Sequence, residues 1–268
     1  MPNMTAIIVT YNSAESITAC VESLRREGVN KIVFVDNASY DTTKDIIQQS
    51  ITSQDILVEN KTNAGFSAGV NIGLSYIHDG YVLLLNPDAW LKEGALAKAL
   101  SVFSQRTDVG AVGLALVDKQ GYPQSSFGWF PSFWRELRQI IGWSKWFGKG
   151  RYARYVVEPV EFQSGYKDWV SGGAMVFSKE IADMIGFFDK QFFLYMEDVD
   201  WCKRMAVAGI KVWYEQEAKV VHSQHGSSPD SKKAWKEEIR SVLLYYGKWN
   251  IKWRFLLKLI LSIRKLFI

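Results

Sequence analysis

An α/β fold, with a mostly parallel central sheet flanked by helices, is what this sequence predicts, and three observations predict it. Short apolar runs alternate with stretches of helical spacing, polar residues gather where each run ends, and the composition supplies a core. Of the 268 residues 48% are hydrophobic, 22% are charged and only 6 are proline, which argues against a disordered chain. That length suits one large domain or a domain with an appendage.

In chain order, residues 6–9, 31–35, 55–58 and 81–85 read as buried strands, and residues 14–27, 42–49 and 67–77 carry helical spacing between them. Such alternation argues for parallel strands covered on both faces. The second half changes character. Residues 129–155 are rich in tryptophan and basic side chains and poor in strand signal. Residues 167–178 look like a strand interrupted by Gly172-Gly173. The acidic stretch Glu197-Asp198-Val199-Asp200 opens a helix running to about residue 208, residues 211–222 read as strand, and residue 232 onward as helix. No internal repeat is present.

In sheets of this kind ligands bind beyond the carboxyl ends of the strands. The four strands run into Thr10-Tyr11-Asn12, into Asp36-Asn37-Ala38-Ser39, into residues 60–65 and into Asn86-Pro87-Asp88. Each cluster alone would serve as a turn or helix cap. Four in succession on one edge point to a site.

The ordered series Thr10-Tyr11-Asn12, Val35-Asp36-Asn37-Ala38-Ser39, Asn63-Ala64-Gly65-Phe66, Asn86-Pro87-Asp88, Trp169-Val170-Ser171-Gly172-Gly173 and Tyr195-Met196-Glu197-Asp198-Val199-Asp200 resembles family 2 glycosyltransferases of the GT-A fold, most closely their bacterial rhamnosyltransferase-like branch. The resemblance covers residues 5–228. It implies an inverting transferase that moves a sugar from a nucleoside diphosphate onto a glycan or lipid-linked acceptor in cell-surface glycan assembly, with L-rhamnose from dTDP-rhamnose as the favoured donor and a UDP-hexose as the alternative.

By that resemblance Thr10, Tyr11, Asn12, Asp36, Asn37, Asn63 and Gly65 lie along the donor nucleotide. A carboxylate such as Asp36 accepts hydrogen bonds from a base N–H or a ribose hydroxyl. Asn86-Pro87-Asp88 stands where the family has Asp-x-Asp, with Asn in place of the first carboxylate. A divalent cation, Mn2+ or Mg2+, offsets the charge of the departing diphosphate there, and Asp88 is its expected ligand. His222, with His225 as the alternative, is expected to complete the metal site. Inversion needs a base for the acceptor hydroxyl; Asp198 is expected to fill that role, with Glu197 the alternative or an acceptor-binding partner. Asp200 is expected to pair with Lys203 or Arg204. Trp169 with Gly172 and Gly173 is expected to floor the donor sugar and acceptor.

Charge divides the chain. Residues 232–268 carry ten basic and two acidic side chains, a balance of +8, and the remainder carries 22 and 26, a balance of −4. The expected organisation is a catalytic domain over 1–228, with a nucleotide half (1–118) and an acceptor half (119–228), followed by a basic amphipathic helical region (229–268). In that tail Trp249, Trp253, Leu256, Leu257 and Ile260 interleave with Lys248, Lys252, Arg254 and Lys258. The apolar run is too short to span a bilayer, so the helix is expected to lie on a membrane surface; docking on the body or on a second copy is the competing reading. The tryptophan-rich stretch is a candidate lid reaching the same surface. Two cysteines and no signal-like leader suit a cytoplasmic protein held at the inner face of the membrane.

Other classes fit less well. The first strand does not lead into G-x-G-x-x-G, which disfavours a Rossmann oxidoreductase. An acidic body disfavours nucleic acid. A non-catalytic sugar-nucleotide binding module would not need Asp88, Glu197 and Asp198 together, and a glycosidase would not need nucleotide-like loops.

Overall fold

The computed structural model describes residues 3–132, 162–223 and 231–250. Its first half is built as β1 (Met4–Thr10), α1 (Ile17–Arg26), β2 (Lys31–Asp36), α2 (Thr43–Ser50), β3 (Ile56–Glu59), α3 (Phe66–Leu74) and β4 (Tyr81–Leu85). Strands β3, β2, β1 and β4 lie side by side and parallel, with Val9 opposite Val35 and Ile7 opposite Leu84. Every residue of β1 is buried, because helices cover both faces. Its alternation shows in the packing: Ile7 and Val9 join one core, while Ala6 and Ile8 join another with Ile17, Cys20 and Leu24 of α1.

The second half extends the sheet with strands of both directions. A short edge strand, β5 (Ala89–Leu91), leads to α4 (Ala95–Gln105) and β6 (Val109–Val117). Beyond these come β7 (Phe127–Gly128), β8 (Gly165–Lys167), β9 (Trp169–Val170), β10 (Ala174–Ser178), α5 (Lys179–Ile185), α6 (Glu197–Val207), β11 (Lys211–His222) and α7 (Ser231–Lys248). The large sheet runs β3-β2-β1-β4-β10-β6-β11-β5, with β8 against β11. Neither α4 nor β6 stands out in the sequence. Strand β6 reads Val-Gly-Ala-Val-Gly-Leu-Ala-Leu-Val and is buried throughout, so it shows no alternation. A Cβ added at Gly113 would lie 2.4 Å from the Val170 side chain, which is why a strand this central carries glycine.

Two expectations about the second half change. The interrupted strand over 167–178 is two strands in two sheets: β9 pairs with β7, and β10 runs antiparallel between β4 and β6. The boundary expected at residue 228 does not follow the packing. Val242, Tyr245 and Tyr246 of α7 belong to the same buried cluster as Phe192, Trp201 and Met205, so α7 is part of the body. No helix among the described residues is long and apolar enough to cross a membrane.

Candidate active site

The polar edge lies at the carboxyl ends of β1, β2, β3 and β4. Asp36 is fully buried there. Its oxygens accept from Thr10 Oγ1 at 2.9 Å, Ser39 N at 2.9 Å and Ser39 Oγ at 2.5 Å. A carboxylate offers about four acceptor positions, so Asp36 shapes the loop first and has little capacity left for a donor. Asn37 N donates to the Thr10 carbonyl, Asn37 Nδ2 to the Gly65 carbonyl at 3.1 Å, and Asn12 N to Ser39 Oγ at 2.9 Å. The three loops are thereby sewn together. Asn12 and Ala38 both sit at positive φ, 51° and 61°. Such strain in a non-glycine residue persists only where the surroundings enforce it, and it gathers at ligand sites. Tyr11 meets the exposed Tyr40 edge-on, with ring centroids 6.3 Å apart. Asn63 Oδ1 accepts from Gly65 N at 3.0 Å. Gly65 has φ 86°, and a Cβ there would fall 2.5 Å from the Phe193 carbonyl oxygen, so only glycine fits.

Asp88 and His222 meet because β5 pairs antiparallel with β11, setting Ala89 opposite His222. His222 Nε2 lies 3.2 Å from Asp88 Oδ1. Gln124 orients the ring. Its amide nitrogen donates to the His222 carbonyl at 2.9 Å, so its oxygen faces Nδ1 at 3.0 Å. Nδ1 therefore carries hydrogen, and the ring is held with Nε2 directed at the Asp88 carboxylate. Two electron-rich atoms so placed are a donor pair suited to a cation, with an outer partner fixing the imidazole tautomer. Among the described residues no group of three His, Cys, Asp or Glu is assembled, and Mg2+ or Mn2+ at such sites takes its remaining ligands from phosphate and water.

The turn Gly172-Gly173 joins this shelf to the acidic helix start. Gly173 accepts from Asn86 N at 3.0 Å, and Gly172 N donates to Asp198 Oδ2 at 3.0 Å. A Cβ on Gly172 would lie 3.3 Å from the Phe66 ring and 3.7 Å from Asp198 Cβ, so donor loop, turn and acid converge on two glycines. Tyr195 and Met196 have φ 70° and 69°, a double left-handed step that throws Glu197 and Asp198 onto the first turn of α6. Asp198 accepts from Gly172 N and from Val199 N at 2.8 Å. Burial raises its pKa, and those two N–H groups pull against the rise. Glu197 is 5% exposed and its Oε2 is without a hydrogen-bond partner. Burial, and then the adjacent Asp198, push its carboxyl well above the usual range. Both carboxyls are thus pushed towards the protonated form, Asp198 with two N–H groups supporting its anion and Glu197 with none at Oε2.

Several expected residues land differently. Trp169 is 6% exposed, its Nε1 donating to the Trp129 carbonyl at 3.2 Å, so the ring expected to floor the sugar sits in the core beneath Gly128. Asp200 does pair with Arg204, Nε to Oδ2 at 3.1 Å, but it also receives Lys248, the last residue of α7, and Trp249 just beyond it, partners nothing in the sequence signals. Gln124 was equally silent, lying in a connection between β6 and β7. Both cysteines are free and buried, and burial raises their thiols, leaving them inert. His225, the 133–155 portion of the tryptophan-rich stretch and residues 251–268 of the basic tail lie outside the described residues.

Comparison with known proteins bears on the family and the fold. The chain is 26% identical to the N-acetylglucosaminyl-diphospho-decaprenol L-rhamnosyltransferase of Mycobacterium tuberculosis over 280 residues, covering 96% of this chain and 90% of that protein. It is 24% identical to the rhamnosyltransferase WbbL of Escherichia coli, covering 91% and 93%. Among solved structures, the mannosyltransferase PcManGT from Pyrobaculum calidifontis in complex with GDP-Man and Mn2+ superposes with a TM-score of 0.62 at 20% identity, over 92% of this chain and 64% of that one. GalNAc-T7 with UDP, GalNAc and Mn2+ gives 0.64 at 13%, over 90% and 47%, so this chain spans about half of its length. These two likenesses establish the GT-A architecture. The sequence model of glycosyl transferase family 2 matches residues 5–160, more than half of the chain, and the protein belongs to that family.

Proposed function

We propose that this glycosyltransferase moves L-rhamnose from dTDP-rhamnose, with inversion, onto a lipid-linked or polysaccharide acceptor at the inner face of the cytoplasmic membrane. The observation that carries the reading is the double contact of the Gly172-Gly173 turn, which ties Asn86-Pro87-Asp88 to Asp198. In this reading the diphosphate lies by Asn86-Pro87-Asp88 and the attacking hydroxyl by Asp198, and the shared turn supports their being neighbours. The rhamnosyltransferases similar to this chain over nine-tenths of its length support the choice of donor.

Asp88 and His222 would hold a divalent cation, Mn2+ or Mg2+, which when bound neutralises charge on the leaving diphosphate. Asp198 removes the acceptor's hydroxyl proton as that oxygen bonds to the anomeric carbon. The bond from that carbon to the diphosphate oxygen breaks on the opposite side, and inversion follows from the single displacement. Gly172 N holds Asp198 in place and weakens its affinity for the proton before the acceptor arrives. Glu197, protonated, adds no second negative charge beside the base and can donate to an acceptor oxygen. Tyr11, Asn12 and Tyr40 are the groups left accessible to the nucleoside at the β1 and β2 ends.

A donor-hydrolysis panel tests this assignment. With Mn2+ or Mg2+ present, dTDP-rhamnose should be turned over faster than UDP-hexoses and GDP-mannose. Preference for a UDP-hexose would replace the donor while leaving the site intact. Nucleotide binding without turnover of any donor would reduce the chain to a binding module.

A further inference from the structure

Besides its apolar packing, helix α7 ends on a charged contact with the helix that carries Asp198. Asp200, fully buried, lies two residues beyond Asp198 on the first turn of α6. Lys248 Nζ reaches its two oxygens at 2.9 and 3.0 Å, and Trp249 Nε1 donates to Oδ1 at 3.0 Å. Lys248 also bridges to Asp189 Oδ2 at 2.6 Å. One turn or more earlier on α7, Ser241 Oγ donates to the Leu194 carbonyl at 2.7 Å. The helix therefore grips the chain on both sides of the Tyr195-Met196 step, at Leu194 before it and at Asp200 after it. That step is unfavourable for non-glycine residues and needs outside support.

We infer that Lys248 and Trp249 are positioning residues for the transfer reaction: through Asp200 they fix the register of the helix start that presents Asp198. The inference rests on Asp198 as the base. Arg204 alone would satisfy Asp200 as a surface pair does, and its remaining nitrogens are already given to the carbonyls of Ile185, Gly186 and Phe187. Lys248 and Trp249 complete the coordination of Asp200 from outside the helix, which is what holding a helix end in place requires. Lys248 also offsets the negative charge of Asp200 close to the base. The charged groups around this helix start are Glu197, Lys203, Asp200 and Arg204 from α6, Asp189 from the preceding segment and Lys248 from α7; Lys203 Nζ stands 6.0 Å from the Trp249 ring.

The test uses the full chain with Lys248→Met, Lys248→Arg and Trp249→Phe, alongside Asp198→Asn. Trp249→Phe keeps an aromatic ring in place and deletes only the N–H, so it guards against loss of fold. We expect kcat to fall about tenfold in Lys248→Met and by less in Trp249→Phe, since small misplacements of a reacting group are costly in rate. KM for the donor should stay within about twofold, because the donor loops are elsewhere. With Lys248 gone, Asp200 is less neutralised, Asp198 holds its proton more tightly, and the acidic limb of the kcat profile should move to higher pH. Lys248→Arg should restore both kcat and the profile. Wild-type kcat and an unmoved profile in folded Lys248→Met and Trp249→Phe, with Asp198→Asn inactive, would overturn the positioning role and leave the base standing. Full transfer by Asp198→Asn would remove the base itself, whatever the α7 variants do.

Discussion

The nucleotide edge and the acid edge of this site are built on opposite plans. At the nucleotide edge, polar groups satisfy one another over short reaches. Thr10, Asp36, Asn37, Ser39 and Gly65 form a closed network joining consecutive strand ends. At the acid edge, groups come from remote parts of the chain, and two carboxylates are crowded together with one oxygen left without a partner. The first plan gives a preformed cradle whose hydrogen bonds hold Asn12 and Ala38 at positive φ. The second raises the proton affinity of both carboxyls through burial and crowding, a perturbation that gathers at proton-transfer sites. Asp88 and His222 stand between the two, drawn together by the β5–β11 pairing.

Breaking the shelf between them should have the largest effect. Asp88→Ala should lower kcat by about 100- to 1,000-fold, the scale of several kcal/mol of lost charge stabilisation, and chelation of wild type should reproduce it. Full activity in chelator would remove the metal reading and leave Asp88 free to bind sugar hydroxyls. Gln124→Ala should act next most strongly, weakening Mn2+ binding by about 10- to 100-fold in a direct titration, because outer partners of a histidine ligand carry that much. Unchanged Mn2+ affinity would mean that Gln124 does not orient His222.

Two truncations separate the body from the tail. Ending the chain after Asn250 removes residues 251–268 and should leave donor turnover within about twofold, yet release the protein from anionic vesicles, since each basic residue near such a surface contributes about 1 kcal/mol. Ending it after Gly247 also removes Lys248 and Trp249 and should cost turnover as well. Equal turnover in both would separate α7 from the site; retained vesicle binding after the first cut would refute the anchor.

The smallest effect concerns stability. The folded-state pKa of Glu197 is raised, so the folded protein binds that proton more tightly than the unfolded chain does. Stability should then be full below the ordinary carboxylate range and decline as pH rises towards the raised value. Glu197→Gln should flatten the dependence of Tm on pH, and an unchanged slope would show that Glu197 is ionised in the folded state.

This contrast also explains what could be read in advance. Strands β1 to β4 each end an apolar run in a polar cluster, so fold and nucleotide edge follow from local pattern. The meeting of Asp88 with His222 was half legible: Asp88 marks a strand end, but its neighbour depends on β5, three residues long, meeting β11 far along the chain. Strand β6 stayed hidden because burial on both faces erases alternation. Trp169 misled because an aromatic before two glycines looks the same whether it faces a sugar or the core. The contacts of Lys248 and Trp249 with Asp200 span 48 and 49 residues, and no spacing rule links them.

The central claim is that Asp198, and not Glu197, takes the acceptor's proton, and one pair of variants tests it most directly. Asp198→Asn keeps shape and removes the proton acceptor, so kcat should fall by about 100- to 10,000-fold while nucleotide affinity and Tm hold. Glu197→Gln should cost far less, because Glu197 Oε2 accepts no hydrogen bond and burial favours its neutral form, which glutamine resembles. Measured together under saturating donor and acceptor, a collapse in Asp198→Asn with survival of Glu197→Gln is the predicted result. Near wild-type transfer by Asp198→Asn, or the reverse ranking of the two, would contradict it.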